Sequence, residues 1–89
     1  MKLDPIEAAV HEFLTDEVLM VRNLGPVEPD ESLFELGAVD SISIAYIVAF
    51  CEERFSITIP DDEILPEHFE TVRTIARMVG RLRGSRLST

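Results

Sequence analysis

Few side chains in this 89-residue chain could do chemistry, and they are quickly enumerated: Ser41, His11, His68, Cys51 and a set of carboxylates. A serine acting as a nucleophile needs a base and an orienting group close by. His11 and His68 are the candidate bases. Neither shares a local motif with Ser41, and no oxyanion-hole signature accompanies it, so no catalytic activity is expected of the chain itself. His11, His68 and Cys51 have no metal-ligand spacing. Asp61–Asp62–Glu63 lacks the alternating oxygens and the glycine of a calcium loop and reads as a helix cap, so no metal site is expected. Cys51 is expected to be buried and inert, because a reactive thiol needs exposure and a lowered pKa. One cysteine also excludes an internal disulfide framework and a cysteine-cluster zinc site. What remains is where Ser41 stands. A hydroxyl at a helix N-terminus lies where free N–H groups and the positive end of the dipole favour a phosphate. Ordinary first-turn hydrogen bonding would suit the same position.

The elements that must position Ser41 follow from periodicity. Ile6, Val10, Phe13 and Leu14, then Val18 and Met20–Val21, predict a first helix over 5–21, with Pro5 in its first turn and Gly25–Pro26 as its stop. A long connection, NLGPVEPDESLFELGAV, follows, and Leu33, Phe34 and Leu36 are expected to pin it to the core. Loops this long in small domains are usually functional. Asp40 is expected to cap a second helix running to about Phe55, its carboxylate accepting first-turn N–H groups. FSITIP reads as an extended connector, since a lone strand has no partner here. Asp61–Asp62 cap a short helical turn before Pro66. A last helix starts near Thr71 with Val72, Ile75, Ala76, Val79 and Leu82 on one face, is weakened by Gly80 and ends at Gly84. The fold expectation is all-α: a small four-helix bundle of three main helices and one short one, with a long loop between the first two. It forms a single domain over 1–89, with a core of about 6–83 and a frayed tail at 84–89.

The second helix is unusual in having two apolar stripes. Ile44, Ile47, Val48, Cys51 and Phe55 form the expected core face, while Ile42, Ala45, Tyr46, Ala49 and Phe50 form another, continued by Glu53. A surface helix needs one such stripe, so the second must be covered by something. The short helix would cover part; the remainder, rimmed by Glu52 and Glu53, would be an interaction surface.

Composition narrows the classes further. Hydrophobic residues make up 46% of the chain and charged ones 28%, a globular rather than disordered balance. Seventeen acidic residues face eight basic ones, so nucleic acid is an unsuitable partner. All seventeen acids lie in residues 1–70, whereas residues 71–89 hold five arginines and no acid. Such an acidic body draws basic protein surfaces. Arg73, Arg77 and Arg81 share one face of the last helix, suited to a helix C-terminus or to docking. No run is apolar enough to span a bilayer, and the N-terminus is too acidic for a signal peptide. The expectation is a cytoplasmic monomer without membrane association.

The run LFELGAVDSISIAYIVAFCEERFSITIP resembles the core of the acyl carrier and peptidyl carrier protein family. The shared pattern is Gly37, a short gap, Asp40–Ser41–Ile42, an aliphatic helix, Glu52–Glu53, Phe55 and Ile57–Thr58–Ile59–Pro60, with Thr71–Val72 opening the last helix. The resemblance covers about residues 6–83. Asp-Ser alone is a weak motif; the ordered set is a strong one. The resemblance implies that Ser41 is the attachment point of 4′-phosphopantetheine, moved from coenzyme A by a phosphopantetheinyl transferase as a phosphodiester. The arm's thiol carries an acyl or aminoacyl group as a thioester. Asp40 would cap the helix and help present Ser41. Ile42, Ala45 and Ala49 match family positions that contact partner enzymes or fold against the arm. With Tyr46 and Glu53 they would face partners: a transferase, an adenylating ligase or acyltransferase, and downstream condensing, transferring or tailoring enzymes.

The departures point to a subgroup. Val39 is an extra residue between Gly37 and Asp40, and Ser43, Tyr46 and Phe50 stand where fatty-acid-synthesis carriers have other residue types. The chain is similar to D-alanyl and stand-alone aminoacyl or peptidyl carriers, and EILPEHFETV resembles theirs too. A dedicated biosynthetic pathway is the implied setting. The alternative is a small acidic helical adaptor that binds a partner helix without a prosthetic group. It explains the acidity and the second stripe, and leaves Gly37–Ser41 and the connector unexplained.

Overall fold

Asp4 caps the first helix, α1 (Pro5–Leu14), in a reciprocal box: Glu7 N–H donates to its carboxylate at 2.8 Å, and Asp4 N–H donates to the Glu7 carboxylate at 3.3 Å. The computed structural model describes residues 4–19 and 27–87. The expected end of the first helix at Met20–Val21 and its Gly25–Pro26 stop lie outside the described residues. Regular α geometry already ends at Leu14, and Thr15–Leu19 forms a wider π-helical turn. At this junction the Thr15 hydroxyl donates to the His11 carbonyl at 2.8 Å, and its N–H is shared between His11 and Glu12. Val18 stays buried on the far side of that turn.

Helix α2 (Ser41–Phe55) begins where the long connection closes. That closure is built around one carbonyl. Ala38 and Val39 N–H groups both donate to Leu33 O, at 2.9 and 3.2 Å, and Gly37 turns the chain at φ 75°, a left-handed conformation that glycine adopts without a Cβ penalty. Leu33, Ala38 and Val39 are buried, whereas Phe34 and Leu36 are more than a third exposed. Leu33 therefore pins the loop as expected; Phe34 and Leu36 do not, because the turn bonded from Ser32 to Gly37 leaves them on its outer side. The additional Val39 acts as a core anchor directly before the helix.

Ser56 ends α2 in the left-handed region, and its N–H reaches back to Glu52 O. The extended connector is tied to the same residue: Ile57 N–H donates to Glu52 O and Ile59 N–H to the Glu52 carboxylate at 2.8 Å, burying Ile57 and Ile59. Glu52 thus holds the connector instead of rimming a free surface. Asp61–Glu63 and Pro66–Phe69 are 3₁₀ turns. Asp61 and Asp62 lie inside the first of these and cap nothing; Pro60 precedes it and no side chain caps it.

The last helix, α3 (Val72–Leu87), starts at a pair of reciprocal bonds between Thr71 and Thr74, each N–H donating to the other hydroxyl at 3.0 Å. It runs through Gly84, where a stop and a frayed tail were expected; Gly84 keeps helical continuity and lacks the positive φ of a glycine terminator. Residues 88–89 lie outside the described residues. Arg73 bridges Glu7 of α1 at 3.1 Å and Asp30 of the loop at 2.8 Å, and Arg81 makes a two-pronged pair with Glu63 at 2.7 and 3.0 Å. Bonding to Arg81 holds the Glu63 carboxyl below its ordinary value. Arg73 and Arg81 thus fasten the domain internally, although Arg81, like Arg77, is exposed.

α1 packs chiefly on α3, and α2 lies against both. Val10 and Leu14, Ile47 and Cys51, Phe69, and Val72, Ile75, Met78 and Val79 meet in one core. Among the described residues the fold is all-helical, with no strand and no helix long and apolar enough to cross a membrane.

Candidate functional site

Asp40 sits in extended backbone as the N-cap of α2, and Ser43 N–H donates to its carboxylate at 2.9 Å. Ser41 is the first helical residue. It is exposed, and among the described residues no hydrogen-bond partner engages its hydroxyl. The two histidines are spent elsewhere: the His11 ring shares a hydrogen bond with Val27 O at 3.0 Å, and the His68 ring with Glu63 O at 2.7 Å. No base, no third group and no metal-ligating cluster stands with Ser41 among the described residues. The serine is presented outward, at the first turn of α2.

Asp40→Ala removes the cap. It is expected to cost about 1 kcal/mol in denaturant unfolding, with the m-value unchanged.

The apolar pattern of α2 resolves into an inner and an outer face. Ser43, Ile47, Cys51 and Phe55 are buried, at spacing of four. Ile44 and Val48, expected in the core, are only half-buried, because the helix turns its Ser43 side inward. On the outer face Ile42 is 67% and Tyr46 64% exposed, and Ala45, Ala49 and Glu53 are exposed as well. Ile42, Tyr46, Ala49 and Glu53 line an open groove of about 810 Å³ between α1 and α2; Ala45 lies outside it. The Asp61–Glu63 turn does not cover this face.

Five groove residues were not anticipated from the sequence: Ser43 and Arg54 of α2, and Phe13, Glu17 and Val18 at the end of α1 and in the π-helical turn. Phe13 stacks on Phe50 with ring centroids 4.2 Å apart, and Phe50 meets Phe55 edge-on. The signal available was the pair of aromatics on helices expected to touch. Arg54 completes the lining and lies 5.4 Å from the Phe55 ring, with Arg83 at 5.7 Å.

Cys51 is fully buried, and burial together with the adjacent Glu52 charge pushes its thiol up to about 12. The thiolate is the reactive form, so Cys51 is expected to resist a thiol reagent in the folded protein and to react fully in denaturant.

The family model described as "Phosphopantetheine attachment site" matches residues 14–80, from the end of α1 through most of α3. The chain belongs to this family. It is a carrier domain whose prosthetic group is 4′-phosphopantetheine, and carriers of this family are not themselves catalytic. The carrier domain is similar to Aminoacyl carrier protein 1 of Bradyrhizobium diazoefficiens, 38% identical over 53 residues. That match covers 60% of this chain and 58% of the relative, so the chain spans less than two thirds of the relative's length. Among solved structures it is similar to a chain in a crystal structure of an FAD-dependent dehydrogenase, at a TM-score of 0.68 and 32% identity. That likeness covers 80% of this chain and 99% of the other, which is therefore the shorter of the two. The likeness to an aminoacyl carrier agrees with the subgroup expected from Val39 and the residues after it.

Proposed function

We propose that Ser41 is the attachment point of the 4′-phosphopantetheine arm, and that the chain carries acyl or aminoacyl groups in a dedicated biosynthetic pathway, with aminoacyl cargo favoured. The observation that carries this reading is Ser41 itself: exposed, first in α2, and without a partner for its hydroxyl among the described residues. The free N–H groups of that first turn and the positive end of the helix suit the phosphate of the arm. When bound, the arm supplies a thiol that holds the cargo as a thioester. Asp40 keeps the first turn wound, so the hydroxyl is held at a fixed place on the surface for a transferase to reach.

The partners proposed are a phosphopantetheinyl transferase, an adenylating ligase or acyltransferase, and downstream condensing, transferring or tailoring enzymes. The matching chain in the structure of an FAD-dependent dehydrogenase supports a flavin-dependent oxidation among the tailoring steps. Ile42, Ala45, Tyr46, Ala49 and Glu53 are the proposed contact face, supported by their exposure beside Ser41. Its acidic edge favours basic partner surfaces. Glu53→Lys is expected to slow loading several-fold at low salt and much less at high salt, read as initial loading rates at two ionic strengths. We read residues 1–89 as one carrier domain of the four-helix type with a core over about 6–83, monomeric and cytoplasmic.

The test is intact mass after incubation with coenzyme A, magnesium and a broad-specificity phosphopantetheinyl transferase. A gain of one phosphopantetheine that needs Ser41 supports the reading. A folded protein that gains nothing with several transferases would instead favour an acidic adaptor.

A further inference from the structure

The groove between α1 and α2 has three properties that together specify an occupant. Its lining begins one residue after Ser41, with Ile42 and Ser43, and follows α2 through Tyr46, Ala49, Phe50 and Glu53. At 1.5 Å per residue these positions lie within about 18 Å of Ser41 along the helix axis, within reach of a flexible arm anchored there. The volume, about 810 Å³, falls in the range of small-molecule sites, roughly 300–1,000 Å³. Its chemistry among the described residues is mixed: the aromatic surface of Phe13, Tyr46 and Phe50 is joined by two exposed carboxylates, Glu17 and Glu53, against one cation, Arg54.

A plain acyl chain would use the aromatic surface and bring no cation to the carboxylates, leaving them to solvent and Arg54. An aminoacyl thioester brings an α-ammonium beside its side chain, because its amine remains free when its carboxyl is in the thioester. We propose that this groove holds the cargo end of the loaded arm, with the α-ammonium of an aminoacyl group beside Glu17 and Glu53 and an apolar side chain against Phe13, Tyr46 and Phe50. This rests on attachment at Ser41 and deepens the aminoacyl reading with a resting place and the groups that hold the ammonium. Charge complementarity and the tether select the aminoacyl group over a free peptide, which has no anchor here. Ile42 and Tyr46 belong both to the groove and to the proposed contact face, so a docking enzyme would displace the cargo as it binds.

The experiment uses the full chain, loaded enzymatically with phosphopantetheine analogues whose cargo is joined by a stable amide. Three cargoes are compared: leucyl with its free amine, N-acetyl-leucyl, and 4-methylpentanoyl, which has the same side chain and no amine. Attachment is verified first by intact mass, so a chain that accepts no arm fails the attachment reading and is separated from a failure of the groove. Amide and methyl NMR spectra are then referred to the bare arm. The expected result is leucyl-specific shifts at Phe13, Glu17, Tyr46, Phe50 and Glu53 that shrink at least two-fold for the other two cargoes. The same loss is expected in Glu17→Gln/Glu53→Gln, whose spectrum away from the groove should not change. Equal shifts for all three cargoes would overturn the aminoacyl assignment, and shifts confined to the first turn of α2 would overturn the groove.

Discussion

Ser41→Ala is expected to abolish the mass gain of one phosphopantetheine completely while leaving the fold intact. Both halves follow from the same geometry. The hydroxyl is the atom to be esterified, and neither alanine nor the neighbouring Ser43, which is buried, offers a substitute at that place. Because the Ser41 hydroxyl has no partner among the described residues, its removal strands no buried polar group. The N-cap bond runs from Ser43 N–H to Asp40 and bypasses Ser41. Stability should therefore stay within about 1 kcal/mol of the parent, as for an ordinary surface substitution. Intact mass and a urea melt on the same preparation check the two halves together. Residual modification of the variant would move the attachment point elsewhere, and a large loss of helicity would make Ser41 structural.

The second large effect is on folding. Phe69 is the largest fully buried side chain, although it stands in a 3₁₀ turn of four residues. Phe69→Ala is expected to cost about 3–5 kcal/mol, from lost transfer energy and the cavity left behind. Against a total of about 5–15 kcal/mol for a domain, that is a large share. At about 4–8 °C per kcal/mol for a domain near this size, the melting temperature should fall by more than 10 °C. Leu65→Ala is the control. Leu65 is four residues away in the same segment and 39% exposed, and its loss should cost under about 1 kcal/mol. The reason for the difference is positional. The Leu33 N–H donates to Glu70 O at 2.6 Å, so the turn carrying Phe69 also anchors the loop that leads into Ser41. A variant that shifts this turn should lose modification in step with its folded fraction. Equal melting temperatures for the two variants would show that the turn is peripheral.

Much of this molecule is determined locally, and is therefore legible from residue types and spacing. Asp40 before an apolar run specifies a capped helix start, so Ser41 must be a first-turn residue whatever the helix packs against. The Thr71–Thr74 pair starts α3 for the same reason. Burial of Cys51 follows from its place among Ile47 and Phe55 at helical spacing. Expectations failed where a competing interaction lies outside the local pattern. Phe34 and Leu36 are apolar, yet the bonds gathered on Leu33 O turn them outward. Ile44 and Val48 lose full burial because α2 sets its Ser43 side inward, a rotation fixed by packing on the other helices. The end of α1 passes into a π-helical turn at Thr15, whose side-chain bond to His11 O periodicity does not register. Glu52 is drawn from the surface to the Ile59 N–H across the helix terminus.

The groove belongs wholly to the tertiary level. The amino-acid sequence by itself determined that α2 carries a second apolar stripe beside an exposed serine, because helical spacing alone decides which side chains share a face. Only the packing of α1 and its π-helical turn against α2 decided that Phe13, Glu17 and Val18 would stand opposite that stripe. These residues are separated by more than twenty positions of chain from their counterparts, and no local rule couples them. Their approach is fixed instead by the shared core in which Val10, Leu14 and Val18 meet Ile47, Cys51 and the inner face of α3.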